Sequence, residues 1–235
     1  MNIKKFLGIV ILSAGCGAVH AEVDLNGLWF PAGGPGQQPR ETPWTDFGKK
    51  AYDYYMAKFS INDDPGGWCV VPGLPRSIWG APFPVEIHQT KQFITMFWEG
   101  YFQYRKIWME GYPHPDPILW TGMGYSVGHW EGDTLVVKTD HLREYPYMRR
   151  LPNTEDATTV ERITLEHRKD KNGKDVPYIT NELTLTDPKL YTQPVKVTSS
   201  LRWSPETPIM EYSCSEEIYD NHLQEKGLTV PDFSQ

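Results

Sequence analysis

From Phe83 onward the chain divides into short runs dominated by β-branched and aromatic residues, each closed by a turn signal. Runs 83–90, 92–99 and 101–109 are separated by single residues, Lys91 and Gly100. Runs 124–130 and 134–139 form a hairpin across Glu131-Gly132-Asp133, where Gly and Asp tolerate the backbone angles of a tight turn. Runs 158–168, 178–186, 195–203 and 209–215 follow, with Asn172-Gly173 turning the first two. Strands joined in sequence by short turns predict an antiparallel meander of roughly eight to ten strands.

The first third of the chain has a different pattern. Residues 24–30 read as a short strand, and the Gly/Pro/Gln-rich stretch 31–39 excludes regular structure. Thr45 or Asp46 then caps a helix running to about Phe59. Phe47, Ala51, Tyr54, Tyr55 and Lys58 fall near helical spacing and predict an aromatic face packed on the sheet. Asp63-Asp64-Pro65-Gly66-Gly67 breaks the chain before Cys69, and the tail after Asp220 is a short helix or an extended end. The fold class expected is mainly β, a lipocalin-like barrel, closed or partly open, with one N-terminal helix. Avoidance of exposed strand edges favours closure.

The N-terminus changes where this domain is expected to work. Lys4 and Lys5 precede an apolar stretch over 6–15, and Ala18-Val19-His20-Ala21 offers small residues at cleavage positions. Residues 1–21 therefore read as a secretory signal peptide cut after Ala21, leaving 22–235 as one β-rich domain, periplasmic or secreted. Cys16, after Ser13-Ala14-Gly15, keeps a lipoprotein alternative with a membrane-tethered start. The apolar stretch is too short to span a bilayer, and no other stretch is longer.

Losing Lys4 and Lys5 takes the formal charge from −7 to −9, and no basic patch remains. Nucleic acid and anionic membrane surfaces are thereby excluded as partners. Cys69 and Cys214 are then the remaining cysteines. In an oxidising compartment such a pair reads as a disulfide, two free thiols being the alternative.

Phosphate-binding glycine loops, Gly-x-Ser-x-Gly elbows, His-Glu-x-x-His helices and haem-attachment motifs are absent from the sequence. Four polar segments carry the candidate chemistry. Arg76, in Pro72-Gly73-Leu74-Pro75-Arg76, offers a fork of donors for a carboxylate or enol oxygen, or packs on a surface aromatic. Arg105 shares a strand face with Gln103, Ile107 and Met109, so a buried partner or a ligand must answer its charge. His114 and Asp116 sit among three prolines, a pair suited to proton transfer or to a structural turn. His129 shares a strand face with Val127 and Glu131 beside the 131–133 turn. Trp108 and Tyr125 flank these segments as aromatic substrate-binding candidates. Two ligands are too few for a metal, and no cofactor is implied.

Several segments together resemble an uncharacterised family of exported bacterial proteins. They are Cys69-x-x-Pro72-Gly73-Leu74-Pro75-Arg76, Arg105-Lys-Ile107-Trp108-Met-x-Gly111-x-Pro-His114-Pro115 and Ser126-Val-Gly128-His129-Trp130-Glu131-Gly132-Asp133-Thr134-Leu135. Asp187-Pro188-x-x-Tyr191-Thr192-x-Pro194 and Glu211-Tyr212-x-Cys214 complete the set. The resemblance spans nearly all of the chain after residue 21. It implies that the two cysteine segments and the Arg/His segments belong together, and it carries no activity.

With 9 Trp, 13 Tyr and 9 Phe, the aromatic content exceeds what a core of this size requires. The leading expectation is an exported protein that binds a small hydrophobic or aromatic molecule in a barrel pocket. The alternative is a cofactor-independent lyase, isomerase, hydratase or cyclase, with His114 or His129 moving a proton, Asp116 orienting, and Arg76 and Arg105 stabilising an oxyanion. An envelope interaction module is the third reading, and homo-oligomerisation stays open in all three.

Overall fold

The computed structural model describes residues 23–33, 41–79, 82–117, 119–212, 214 and 217–229. The expected signal peptide, with Cys16 in it, and most of the 31–39 stretch lie outside the described residues. Among these residues nine strands close into one barrel in chain order. They are β1 (Gly27–Pro31), β2 (Val85–Gln89), β3 (Phe93–Trp98), β4 (Gln103–Met109), β5 (Tyr125–Glu131), β6 (Thr134–Asp140), β7 (Thr158–Lys169), β8 (Asp175–Thr186) and β9 (Val195–Trp203). The barrel is lipocalin-like, with nine strands where lipocalins have eight.

Neighbouring strands are antiparallel except β4 and β5, where Ile107 pairs with Ser126 and Met109 with Gly128 in parallel. The expected antiparallel meander needs this one correction, and the cause is parity. Direction alternates around an all-antiparallel ring, so such a ring closes only with an even number of strands. Nine strands force a parallel pair, and a parallel pair needs a connection that runs back along the sheet. Residues 110–124 are that connection, and this is why the proline-stiffened segment around His114 lies exposed beside the wall.

The crossover is seated on the Pro72–Arg76 turn, where Leu74 N–H donates to Gly122 O at 2.8 Å. Gly73 has φ +62°, and a Cβ there would stand 2.2 Å from Gly122 O. Only glycine meets both demands.

The run 209–215 does not join the sheet as expected. β1 already pairs with both β2 and β9, so the closed wall offers no edge to add to. Met210 N–H instead donates to a Glu99 carboxylate oxygen at 2.9 Å, and Tyr212 packs against the rings of Phe83 and Tyr101.

Helix α1 (Asp46–Lys58) begins where its cap predicts, with Thr45 Oγ1 accepting from Gly48 N–H at 3.0 Å. Tyr55 is buried, and Phe47 and Ala51 pack against the core, as the helical spacing requires. Tyr54 does not share that face; it is exposed. The tail forms helix α2 (Glu217–Lys226), which starts a few residues earlier than the sequence indicated.

Cys69 and Cys214 form a disulfide with Cα atoms 5.3 Å apart, tying the chain before α2 to the segment after α1. Asp63 makes a second tie. It is buried, and its Oδ1 accepts from Lys226 Nζ at 2.6 Å and lies 2.7 Å from His222 Nε2. Its Oδ2 accepts from the backbone and the hydroxyl of Ser60.

Burial alone would raise the Asp63 pKa, but the hydrogen bonds from Lys226, Ser60 and His222 outweigh it and hold the carboxyl well below the usual range. The stabilisation is therefore fully present above the unfolded-state value of about 3.9 and is lost as pH falls below it. Urea unfolding at a series of pH values should show stability falling in acid, less steeply in Asp63→Asn. Equal slopes would remove Asp63 from the acid response.

Candidate functional site

Two-residue alternation fixes what faces the barrel interior. β4 directs Gln103, Arg105, Ile107 and Met109 inward, as its pattern predicted, and β8 directs Ile179, Asn181, Leu183 and Leu185 inward. The result is a polar layer next to an apolar cavity.

Arg105 is the centre of the polar layer and is 1% exposed. Its guanidinium grips Glu161 with two bonds, Nη2 to Oε1 at 2.5 Å and Nη1 to Oε2 at 3.1 Å. Nε donates to Ser126 Oγ at 3.1 Å and Nη2 to Thr139 Oγ1 at 2.9 Å. The charge is thus answered by a structural partner from β7, the bland side of the expectation for this residue. The polar layer continues into β8, where Asn181 Nδ2 donates to Glu161 Oε2 at 2.8 Å.

The cavity beside this layer has a volume of about 180 Å³. Ile87, Ile94, Met96 and Trp98 of β2 and β3 line it together with Ile107, Leu135, Ile163 and Ile179 of β4, β6, β7 and β8. Ser77, Ile78 and Phe83 border it from the segment that follows Cys69, and Asn181, Ser199 and Ser200 bring polar atoms. Among the described residues of the lining, none has an ionisable side chain. Asn181 and Ser199 face each other in the β8–β9 register. Asn181 is 6% exposed, and its Oδ1 has no hydrogen-bond partner.

The other sequence candidates lie elsewhere. Arg76 pairs with both oxygens of Asp64 at 2.6 Å, donates to Tyr145 Oη at 2.8 Å and lies 4.5 Å from the centre of the Tyr147 ring. Burial pushes the Tyr145 hydroxyl well above its usual range, so this group stays neutral. His129 is on the outer face of β5, its two ring nitrogens 3.5 Å from Glu110 and 3.3 Å from Glu131. Arg162, and then His129, hold the Glu131 carboxyl below its usual range. Trp108 is also on the outer face, where Lys106 Nζ sits 4.0 Å from its ring centre.

His114 and Tyr125 do meet, on the exposed surface. The Tyr125 hydroxyl bridges Pro115 O at 2.6 Å and His114 Nδ1 at 2.5 Å. Burial, then Asp116, then Asp140 raise the Tyr125 pKa. This cluster and His129 lie outside the wall, whereas Arg105 lies inside it and Arg76 belongs to the segment that follows Cys69. Neither the barrel cavity nor the surface cleft beside His129 brings two of the four Arg and His candidates together among the described residues. Those residues also include no group of three or more His, Cys, Asp or Glu side chains placed to hold a metal ion.

A scan against protein-family models finds no match, and a search of curated proteins finds none. Geometry carries the functional reading.

The sequence reading missed Glu161, Asn181 and Ser199. A signal was present for the first two. Each stands at an inward position between residues of apolar or small character, Glu161 between Thr159 and Ile163 and Asn181 between Ile179 and Leu183. A polar residue on the buried face of a strand requires a partner or a ligand.

Proposed function

We propose that this chain is an exported binding protein for a small, neutral, lipophilic or aromatic molecule held inside the barrel. The observation that carries this reading is the mainly apolar cavity of about 180 Å³ inside the barrel, lined by Ile, Leu, Met and Trp side chains. An apolar cavity of about 150 Å³ is large enough to take a benzene ring, so the occupant is the size of one ring or a short alkyl chain. The described lining residues carry no ionisable side chain, which favours a neutral molecule, since an unpaired charge would be desolvated among them without compensation.

Binding, rather than turnover, is the better-supported role. Acid–base chemistry in the cavity would need His114 or His129 at its wall, and both belong to the outer surface. Export is part of the same reading: the signal-peptide pattern over 1–21 and the disulfide suit an oxidising compartment.

The test is calorimetric titration with a set of small apolar rings and alkanols. The wild-type protein should bind at least one, and Ile163→Trp, which extends a larger side chain into the cavity, should abolish binding while keeping a native circular-dichroism spectrum. Binding that survives in Ile163→Trp would place the ligand elsewhere, and no binding by the wild type would end the proposal.

A further inference from the structure

We infer that the occupant of this cavity carries one hydrogen-bond donor, a hydroxyl on a small ring or chain, and that Asn181 Oδ1 accepts it; the inference rests on the binding role proposed above. The orientation of the Asn181 amide follows from its neighbour. Glu161 Oε2 is a carboxylate oxygen and accepts only, so the atom of Asn181 that meets it at 2.8 Å must be the NH₂ group. Arg105 holds Glu161 from the other side with two bonds, so the carboxylate cannot turn away and release the amide. The carbonyl oxygen Oδ1 is thereby fixed as an acceptor, and it is the end of the side chain without a partner.

A buried carbonyl oxygen without a donor is unfavourable, and native interiors rarely retain one without a reason. This one belongs to a residue that lines the cavity, 94% buried by its 6% exposure, opposite Ser199. A hydroxyl donor from the ligand would satisfy it. An acceptor-only group would not, and an anion would meet the carbonyl dipole with the Glu161 charge behind it. The lining therefore selects for an alcohol or phenol over a hydrocarbon, an ether or a carboxylate of the same size.

Phenol and toluene separate the two questions because they match in shape and differ in the donor. In a cavity without an acceptor, toluene binds more tightly, since the phenol hydroxyl loses water and gains nothing. In this protein phenol should bind at least as tightly as toluene, measured by calorimetry. In Asn181→Leu the order should reverse, with the phenol-to-toluene affinity ratio falling by about five- to thirty-fold. Tighter binding of toluene by the wild type, or an unchanged ratio in Asn181→Leu, would overturn the donor inference and leave the cavity reading intact. Failure of both rings and the wider ligand set to bind would overturn the cavity reading itself. If Asn181→Leu does not fold, the wild-type order of phenol and toluene decides the matter.

Discussion

Replacing Arg105 with methionine is expected to destabilise the protein by about 3–5 kcal/mol, read as a lower midpoint in urea unfolding. The change removes both bonds that the guanidinium makes to Glu161 and leaves a carboxylate that is 0% exposed with Asn181 as its remaining side-chain donor. Ser126 and Thr139 lose a donor as well, although these two hydroxyls are 2.9 Å apart and still bond to each other. Most of the loss comes from the abandoned charge rather than from the value of the pair. The double variant Arg105→Met with Glu161→Leu should therefore recover most of the stability, because replacing a buried pair by apolar groups of similar volume is often close to neutral. A single variant within about 1 kcal/mol of wild type would show that water reaches Glu161.

Loss of the disulfide should have the next largest effect. Cys69 and Cys214 are 145 positions apart, and the chain-entropy model assigns a closed loop of that length about 5 kcal/mol, with measured losses of about 2–5 kcal/mol for native bridges. The folded geometry should change little in Cys69→Ser/Cys214→Ser, because Asp63 still holds α2 through Lys226 and His222, and His222 stacks on Trp68 at 3.7 Å. The expected result is a lower urea midpoint with an unchanged near-ultraviolet spectrum. Alkylation of the unreduced native protein should find both thiols blocked. Free thiols, or a midpoint that does not move, would remove the bridge from the stability of this domain.

Most of the wall was legible in the sequence because strand formation is signalled locally. Residues 93–98 or 134–139 announce a strand through their own side chains, and Glu131-Gly132-Asp133 announces its turn. The direction of β5 relative to β4 was not legible in this way. It depends on the total strand number, a property that no local segment carries. The run 209–215 failed for the same kind of reason, since its apolar character suits a strand but the closed ring leaves it nothing to pair with.

The candidate site residues divide along the same line. Arg105 was legible as a buried cation because alternation places it beside Ile107, but its partner Glu161 comes from a strand 56 positions away. His114 and His129 attracted attention through their chemistry and their motifs, yet both serve the outer surface. Asn181 has no reactive chemistry to advertise. Its interest arises from a neighbour that occupies one end of its amide and leaves the other end free.

Strand β1 meets β2 through three residue pairs and β9 through three, whereas β7 and β8 share twelve. The β7–β8 hairpin joins residues close in sequence and can form early, at small entropic cost. The seam at β1 joins Trp29 to Trp203, nearly the whole described chain apart, and can form only after the last strand has emerged. Closure of the barrel at this seam therefore waits for the ninth strand, whatever β1 and β2 have already formed between them. The amides of β1 should be the first of the wall to exchange with solvent, and Pro31 and Leu201 beside them belong to the cavity lining.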